Sequence, residues 1–339
     1  MTVNRGAGEV CGESPFDAIM RGKRSGSHIM RRLLTILAVT SLALSVSAFA
    51  GRTAAAQTPA KELFGAMAEP APLAARAIGS YAKGCLAGGV ALPINGPAWQ
   101  VMRLSRNRNW GHPKLVGLLE RIAVGAQSEG WPGLLVGDLA QPRGGPMTSG
   151  HASHQIGLDA DIWLTPMPNR TLIPEERETI SAVSMLKDGT RQVDPARWSD
   201  AHARLIRLAA RQPEVDRIFV HPGIKQELCR TAGNDRAWLR KVRPWWGHHY
   251  HFHVRIDCPG GSAGCTPQGA PPAGDGCGEE LAWWLSDEPW TPSDTPAKPK
   301  PPLTLTDLPR ECRMVLDARG APVFGVHPAP PPNPLRRSG

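Results

Sequence analysis

The chain has 339 residues, enough for one large domain or two small ones, and 41% of them are hydrophobic, so it can bury a sizeable core. A net charge of +9 suits an anionic partner, either nucleic acid or another anionic polymer. No basic run with interleaved aromatic residues and no nucleic-acid motif is present, so we expect no nucleic-acid partner.

The N-terminal region has the pattern of an export signal. Met30-Arg31-Arg32 precede an apolar run of about 14 residues, and an A-x-A cleavage site at residues 48–50 follows, with residues 54–56 as an alternative. We therefore expect a non-native extension at residues 1–29 and a signal peptide at residues 30–56. The apolar run is too short for a comfortable membrane span, so we expect none after processing; an uncleaved anchor is the alternative.

The rest of the chain predicts one α+β domain over residues 57–290, followed by a Pro-rich C-terminal arm over residues 291–339. Apolar spacing predicts a helix over 115–126 and a further helix from Asp194, as its N-cap, to Arg211. A short helix is expected over 224–231. Strands are expected over 134–139, 158–164, 218–220 and 250–256, and a loop over 141–150.

Six cysteines follow the predicted signal, since Cys11 precedes it. An even number in an exported chain indicates three disulfides, and spacing alone does not choose among the 15 possible pairings. No C-x-x-C motif is present, which argues against metal binding by these thiols.

Six of the eleven histidines lie in two short motifs. In HHYHFH, residues 248–253, strand alternation places His251 and His253 on one face, about 6.5–7 Å apart along the backbone, with Phe252 on the other. The second motif, SGHASHQIGLDADIW, contains His151 and His154 and the carboxylates Asp159 and Asp161, either of which could point at the site.

A histidine, a carboxylate and a further histidine form a catalytic zinc set that leaves one coordination position open for water. An additional unbound imidazole can take the proton of that water. The alternative is that these histidines are structural and hydrogen-bonded. Their concentration in two motifs favours the metal interpretation.

SGHASHQIGLDADIW, followed far downstream by HHYHFH in its longer context WWGHHYHFHVRIDCP, resembles the penicillin-insensitive murein endopeptidases, which belong with the lysostaphin-type and D-Ala-D-Ala peptidases. GSYAKGCLAGG, VGDLAQPRGGPM and RIFVHPGIKQELC also resemble that family, over roughly residues 70–320. The resemblance implies a small antiparallel sheet that carries a mononuclear zinc site and is flanked by helices.

Carried over by position, the resemblance assigns roles to individual residues. His154, Asp161 and His253 would bind Zn²⁺, and His151 could also reach the metal. His251 would be the general base, and His248 would line the site or hold the tetrahedral intermediate. Arg143 could bind a substrate carboxylate, or it could be a solvated loop residue.

Two further features come from the same resemblance. It pairs Cys85 with Cys312, Cys229 with Cys277, and Cys258 with Cys265. A second metal position of the family matches Asp188, but Arg191 stands where a histidine would help, which leaves a second zinc site in doubt.

The resemblance implies an exported, periplasmic zinc metallo-endopeptidase that hydrolyses the D-alanyl–meso-diaminopimelyl cross-links of peptidoglycan. Because no serine nucleophile is involved, β-lactams would not acylate it. The alternatives are a zinc D,D-carboxypeptidase or dipeptidase, and an inactive peptidoglycan-binding module. The sequence leaves an oligomer possible.

Overall fold

A computed structural model describes residues 57–292 and 299–319. The predicted extension (residues 1–29) and signal peptide (residues 30–56) lie outside these ranges. Within the described ranges, no helix is long and apolar enough to cross a membrane. The described residues from Thr58 onward belong to one compact unit.

Seven α-helices lie within the described ranges. They are α1 (Ala60–Gly65), α2 (Pro113–Ser128), α3 (Pro174–Thr179), α4 (Asp200–Ala210), α5 (Pro222–Thr231), α6 (Glu279–Leu285) and α7 (Glu311–Asp317). Short 3-10 turns occupy Leu104–Arg106, Ala237–Lys241, Glu288–Trp290 and Leu305–Asp307.

In the part of the chain that the structure describes, the strands form one large sheet and two small ones. They are β1 (Arg76–Ser80), β2 (Lys83–Ala87), β3 (Val90–Ala91), β4 (Asn95–Gly96), β5 (Trp99–Val101), β6 (Trp110–Gly111), β7 (Leu134–Val136), β8 (Asp159–Trp163), β9 (Val215–Val220), β10 (Val242–Pro244) and β11 (His251–Ile256). The large sheet has seven strands in the order β10-β9-β11-β8-β7-β5-β4, and β1-β2 and β3-β6 are separate two-stranded sheets.

The mixture of helices and strands agrees with the predicted α+β class, but the seven-stranded sheet is mixed and not, as was expected, antiparallel throughout. Its centre, β9-β11-β8-β7, is antiparallel, whereas β10 pairs with β9 and β5 pairs with β7 in parallel. Parallel neighbours need a crossover connection, which α5 supplies between β9 and β10 and α2 supplies between β5 and β7.

The helix predicted to begin at Asp194 begins instead at Asp200. Asp194 caps only a local turn, in which its Oδ1 accepts from the amide of Ala196. The chain then becomes extended at Ser199 (φ −134°, ψ 168°), which is the N-cap of α4 and forms a capping box with His202. The predicted N-cap was therefore one turn too early.

Strand alternation separates the core from the candidate site. Ile162 of β8 and Phe252 and Val254 of β11 belong to the same buried cluster as apolar residues of α2 and α4. The intervening residues of these two strands, His251, His253, Asp159 and Asp161, lie on the opposite face. Every residue of β8 is buried, although the alternation of polar and apolar residues over 158–164 is the pattern of a half-buried strand.

The described part of the C-terminal arm packs against the domain. Val315 of α7 lies in a second buried cluster with Phe64 and Ile78. The three disulfides are Cys85–Cys312, Cys229–Cys277 and Cys258–Cys265, with Cα–Cα distances of 5.7, 5.9 and 5.9 Å. The arm is therefore held by apolar packing as well as by Cys312.

Candidate metal centre

The pairing of β8 with β11 brings a histidine and a carboxylate face to face. In this antiparallel pair His253 lies directly opposite Asp161. Side chains of opposed residues on one face are close neighbours, and Nδ1 of His253 lies 3.3 Å from Oδ1 of Asp161.

His154 reaches the same carboxylate from the loop that precedes β8. Its main chain has φ +66°, its amide donates to Oδ2 of Asp159 (2.9 Å), and its Nδ1 donates to the carbonyl of Leu139 (2.7 Å). A carbonyl can only accept, so Nδ1 carries the proton and Nε2 of the neutral ring keeps its lone pair. That Nε2 lies 3.5 Å from Oδ1 of Asp161.

Asp159 orients His253 from behind. Its Oδ1 accepts from Nε2 of His253 at 3.0 Å, so the lone pair of the neutral imidazole is on Nδ1, toward Asp161. Arg255 donates to both oxygens of the same carboxylate, at 2.7 and 3.2 Å. Burial alone would raise the pKa of Asp159, but Arg255 and His253 hold it below its ordinary value.

Nε2 of His154 and Oδ1 of Asp161 are buried and have no hydrogen-bond partner among the described residues, and the same is true of Nδ1 of His251. Leaving buried polar atoms unpaired costs free energy, so such atoms need a physical reason. Nδ1 of His253 lies 3.3 Å from the same Oδ1, so Nε2 of His154, Oδ1 of Asp161 and Nδ1 of His253 supply the donor types of a zinc ligand set.

His151 belongs to the same cluster. Together, His151, His154 and Asp161 place one ligand atom each within 4.8 Å of one another, and within the described ranges no other group of three or more His, Cys, Asp or Glu residues does so. Nε2 of His151 lies 3.5 Å from Oδ2 of Asp161 and 3.1 Å from Oδ2 of Asp138. His151 would therefore lie beside a metal ion bound by Asp161.

Asp138 is a site residue that the sequence analysis missed. It is buried, and its Oδ2 faces Arg106 (3.0 Å), Arg108 (2.9 Å) and His151. Burial alone would raise its pKa, but the hydrogen bond and charge of His151 and the two arginines lower it. Two signals were available, its position just after the apolar run of β7 and its place in the family-like segment VGDLAQPRGGPM.

His251 and His248 complete the histidine cluster. Nε2 of His251 lies 3.6 Å from Oδ1 of Asp161, and burial lowers the pKa of His251 to about 4. The ring of His248 lies 4.8 Å from that of His251, and its Nδ1 donates to the carbonyl of Trp246 at 2.7 Å. Burial, with the charges of His251 and His253, also holds the pKa of His248 well below its ordinary value. Both rings are therefore neutral near pH 7.

The backbone around the cluster is conformationally unusual. The non-glycine residues with positive φ in the described ranges are Arg103, Asn107, His154 and His248. Such conformations cost about 1–3 kcal/mol each and persist where the surroundings enforce them. Two of these residues are cluster histidines, so the loops that present them are held in strained conformations.

An open cleft of about 280 Å³ gives access to the cluster. Its lining includes His151, Asp161 and His251, together with Arg103 and Arg106. The cluster thus borders an open space through which a ligand can reach it.

Arg143 does not join the cluster. Its Nε donates to the carbonyl of Glu69 (3.1 Å), and its Nη1 donates to the carbonyls of Val315 (2.9 Å) and Leu316 (2.6 Å). The side chain is buried, and its hydrogen bonds go to these three main-chain carbonyls. Its guanidinium fastens α7 to the domain, and Arg143 is not among the residues that line the cleft.

The residues of the doubtful second metal position also have other partners. Asp188 forms an exposed ion pair with Arg197 at 3.2 Å. Arg191 pairs with Asp287, donates to the carbonyl of Ser286 at 3.0 Å, and lies over the ring of Trp290.

Buried imidazole and carboxylate donors that converge at the edge of an open cleft define a candidate metal centre of the type with a free coordination position. Comparison with known proteins identifies the family. The sequence model described as "Penicillin-insensitive murein endopeptidase" matches residues 77–317. The chain belongs to this family.

Three relatives with that name illustrate the similarity. The protein of Haemophilus influenzae is 49% identical over 225 residues, covering 66% of this chain and 77% of the relative. The protein of Klebsiella pneumoniae is 43% identical and covers 81% of this chain and 96% of the relative. The protein of Salmonella newport is 44% identical and covers 82% and 97%.

Proposed function

We propose that this protein is an exported, zinc-dependent murein endopeptidase of the periplasm. It hydrolyses D-alanyl–meso-diaminopimelyl cross-links in peptidoglycan. The names of the relatives support the reaction and the polymer. The observation that carries the metal dependence is the pair of buried, unpartnered atoms, Nε2 of His154 and Oδ1 of Asp161, beside Nδ1 of His253.

His154, His253 and Asp161 would hold the zinc, and His151 faces the same carboxylate. When bound, zinc polarises the scissile carbonyl and lowers the pKa of a coordinated water toward ~7. Asp159 accepts a hydrogen bond from Nε2 of His253, which leaves the lone pair on Nδ1, on the side of the proposed zinc site.

His251 is the proposed general base. Its ring is buried, neutral and beside the proposed ligand Asp161, so it can take a proton from the attacking water and return it to the leaving amine. In neutral His248, Nδ1 donates to Trp246, so Nε2 is an acceptor. His248 therefore orients water or shares the proton with His251, and it supplies no hydrogen bond to an oxyanion while neutral.

This chemistry uses histidines and no serine nucleophile, so β-lactams have no residue to acylate. A D,D-carboxypeptidase with the same ligands would release terminal D-alanine from monomeric pentapeptides, which provides a direct distinction between the two peptidase activities.

The test uses mature, oxidised protein with two substrates, cross-linked muropeptide dimers and monomeric pentapeptides. The protein is used untreated, after treatment with a chelator, or after a chelator followed by zinc. The products are separated by chromatography and identified by mass spectrometry. We expect dimers to become monomers, the activity to vanish with chelator and to return with zinc. Intact dimers in the presence of bound zinc would refute the endopeptidase proposal, and loss of terminal D-alanine alone would favour the carboxypeptidase.

A variant pair tests the ligand assignment. His154→Ala is expected to lower both bound zinc and dimer cleavage, because it removes Nε2. His202→Gln is the matched control, since His202 is also a buried histidine but bonds the carbonyl of Leu164 and caps α4. Equal zinc content in the two folded variants would contradict the assignment.

A further inference from the structure

We propose that Arg106 forms a carboxylate-binding subsite on the cleft wall. It would recognise the free carboxylate that meso-diaminopimelate carries beside the scissile amide. This inference rests on the proposed endopeptidase function and assigns a specificity determinant to the same cleft.

Arg106 is placed at the right depth in the cleft. Contacts of 3.0, 3.1 and 3.5 Å lead from its Nη1 through Oδ2 of Asp138 and Nε2 of His151 to Oδ2 of Asp161. Together these contacts limit the separation to the length of about three extended residues, at 3.3–3.6 Å each. Arg106 therefore lies within the reach of a substrate segment of about three residues whose scissile carbonyl is at the metal centre.

The turn that presents Arg106 is fixed to the domain. Leu104–Arg106 is a 3-10 turn between two residues in the left-handed region, Arg103 (φ 58°) and Asn107 (φ 50°). Glu178 accepts from the amide and the hydroxyl of Ser105, at 2.8 and 2.9 Å. A rigid support of this kind keeps a recognition side chain in place before the substrate arrives.

The neighbouring arginines are already engaged. Arg103 donates to the carbonyls of Arg177 and Glu178 and lies over the ring of Trp163. Arg108 is buried, and its two terminal nitrogens face Asp138 (2.9 Å) and Ser149 (3.3 Å). These two guanidinium groups are committed to the protein.

Arg106 differs from both. Its side chain is 47% exposed, and within the described ranges its guanidinium donates one hydrogen bond, from Nη1 to Asp138. The edge formed by Nε and Nη2 matches the two oxygens of a carboxylate. Asp138 thus orients one edge of the guanidinium and leaves the other for a ligand.

The local charge favours an anion. The single carboxylate of Asp138 faces two guanidinium groups, those of Arg106 and Arg108, in addition to His151. Glu178 is bound to Ser105. This wall of the cleft therefore carries a surplus of positive charge, which attracts a carboxylate.

The chemistry of the cross-link supplies that carboxylate. The amide nitrogen that leaves on hydrolysis is attached to the carbon of meso-diaminopimelate that also carries a free carboxyl group. A bidentate contact to Arg106 would fix this carbon, and with it the leaving nitrogen, relative to the centre.

The test compares two synthetic dimers that differ only at this group, a free carboxylate or its carboxamide. The zinc-loaded protein is assayed with both, as are Arg106→Gln, Arg106→Lys and Arg121→Gln. Arg121 is a matched control, because it is 52% exposed and pairs with one carboxylate, Glu214, outside the cleft.

We expect the unsubstituted protein and Arg121→Gln to prefer the free acid by about 10–100-fold in kcat/KM. Arg106→Gln should lose activity on the free acid alone, so that the preference falls to about one. Arg106→Lys should retain part of the preference for the free acid, because lysine keeps the positive charge but cannot form the bidentate contact. A purely structural role would lower activity on both dimers equally.

Three results would overturn the proposal. Equal cleavage of both dimers by the unsubstituted protein would exclude the subsite and leave the endopeptidase function intact. An unchanged preference in Arg106→Gln would exclude Arg106 as its cause. Cleavage of neither dimer by zinc-loaded protein would refute the endopeptidase function, on which the subsite depends.

Discussion

Replacing Asp159 with Asn should weaken the metal centre without touching a proposed ligand. The Asp159 carboxylate accepts four hydrogen bonds, from the His154 amide, Nε2 of His253, and Nε and Nη2 of Arg255. An amide has the same shape, but one of its two ends donates. At least one buried donor would therefore lose its acceptor, and the charge of Arg255 would lose its counterion.

The size of both effects follows from these contacts. Removing one partner of a buried ion pair costs about 3–5 kcal/mol, and both Asp159 and Arg255 are buried. Removing the carboxylate that orients a metal-binding histidine lowers metal affinity about 10–100-fold. Asp159→Asn should therefore show both a lower free energy of unfolding and weaker zinc binding.

Two measurements separate these effects. Urea unfolding of the zinc-free protein gives the stability change, and competition with a chromophoric chelator gives the zinc affinity of the folded protein. Asp216→Asn is the control, because Asp216 also pairs with an arginine, Arg217, at 2.6 Å, but contacts no cluster histidine. We expect it to leave zinc affinity within about threefold of the unsubstituted protein.

Unchanged zinc affinity in folded Asp159→Asn would refute the reasoning, because His253 would then be oriented without its carboxylate. An equal loss of affinity in Asp216→Asn would also refute it, because the effect would then follow from lower stability alone.

Three further predictions concern stability. Burial lowers the pKa of Lys225 to about 7. Between pH 7 and about 10 the lysine is therefore protonated in the unfolded chain and neutral in the folded chain, so it makes the free energy of unfolding rise with pH. Lys225→Met should reduce this slope by up to about 1.4 kcal/mol per pH unit, measured by urea unfolding at a series of pH values. The Cys85–Cys312 disulfide spans 227 residues, so the double serine variant should lose about 5 kcal/mol of unfolding free energy on the chain-entropy model. Arg143→Met should reduce hydrogen-exchange protection of α7 and leave KM for muropeptide dimers unchanged, because its partners are main-chain carbonyls of the C-terminal segment.

Each of these predictions has a contradicting result. The same pH slope in Lys225→Met would show that the lysine stays charged in the folded protein. A loss below about 1 kcal/mol in the double serine variant would mean that the unfolded chain is already compact without the disulfide. A raised KM in Arg143→Met, with α7 still protected, would restore the substrate-binding role that its contacts argue against.

The sequence alone was sufficient to predict features that follow from the periodicity of a strand or a helix. His251 and His253 share one face of β11, and Phe252 lies in the core, because side chains alternate along any strand. The helical repeat located α2, predicted over residues 115–126 and found at Pro113–Ser128. These features depend on local geometry that every chain obeys.

Tertiary structure decided which carboxylate faces the candidate centre. Asp159 and Asp161 are equivalent by alternation, but the register of β8 against β11 places Asp161 opposite His253 and Asp159 opposite Arg255. Register is set by pairing between strands that are distant in sequence, so a single strand contains no information about it. The resemblance to a known family, rather than the local pattern, allowed this choice in advance.

The same limit explains Arg143, Asp138 and Arg106. Nothing local to Arg143 shows that its guanidinium meets carbonyls of Val315 and Leu316, more than 170 residues away. Asp138 and Arg106 become partners only when the turn before β6 lies against the end of β7. The sequence by itself therefore determined which residues can carry the chemistry and on which face of a strand they lie. The packing of distant segments decided which of them meet, because the contacts that select a partner form only in the folded chain.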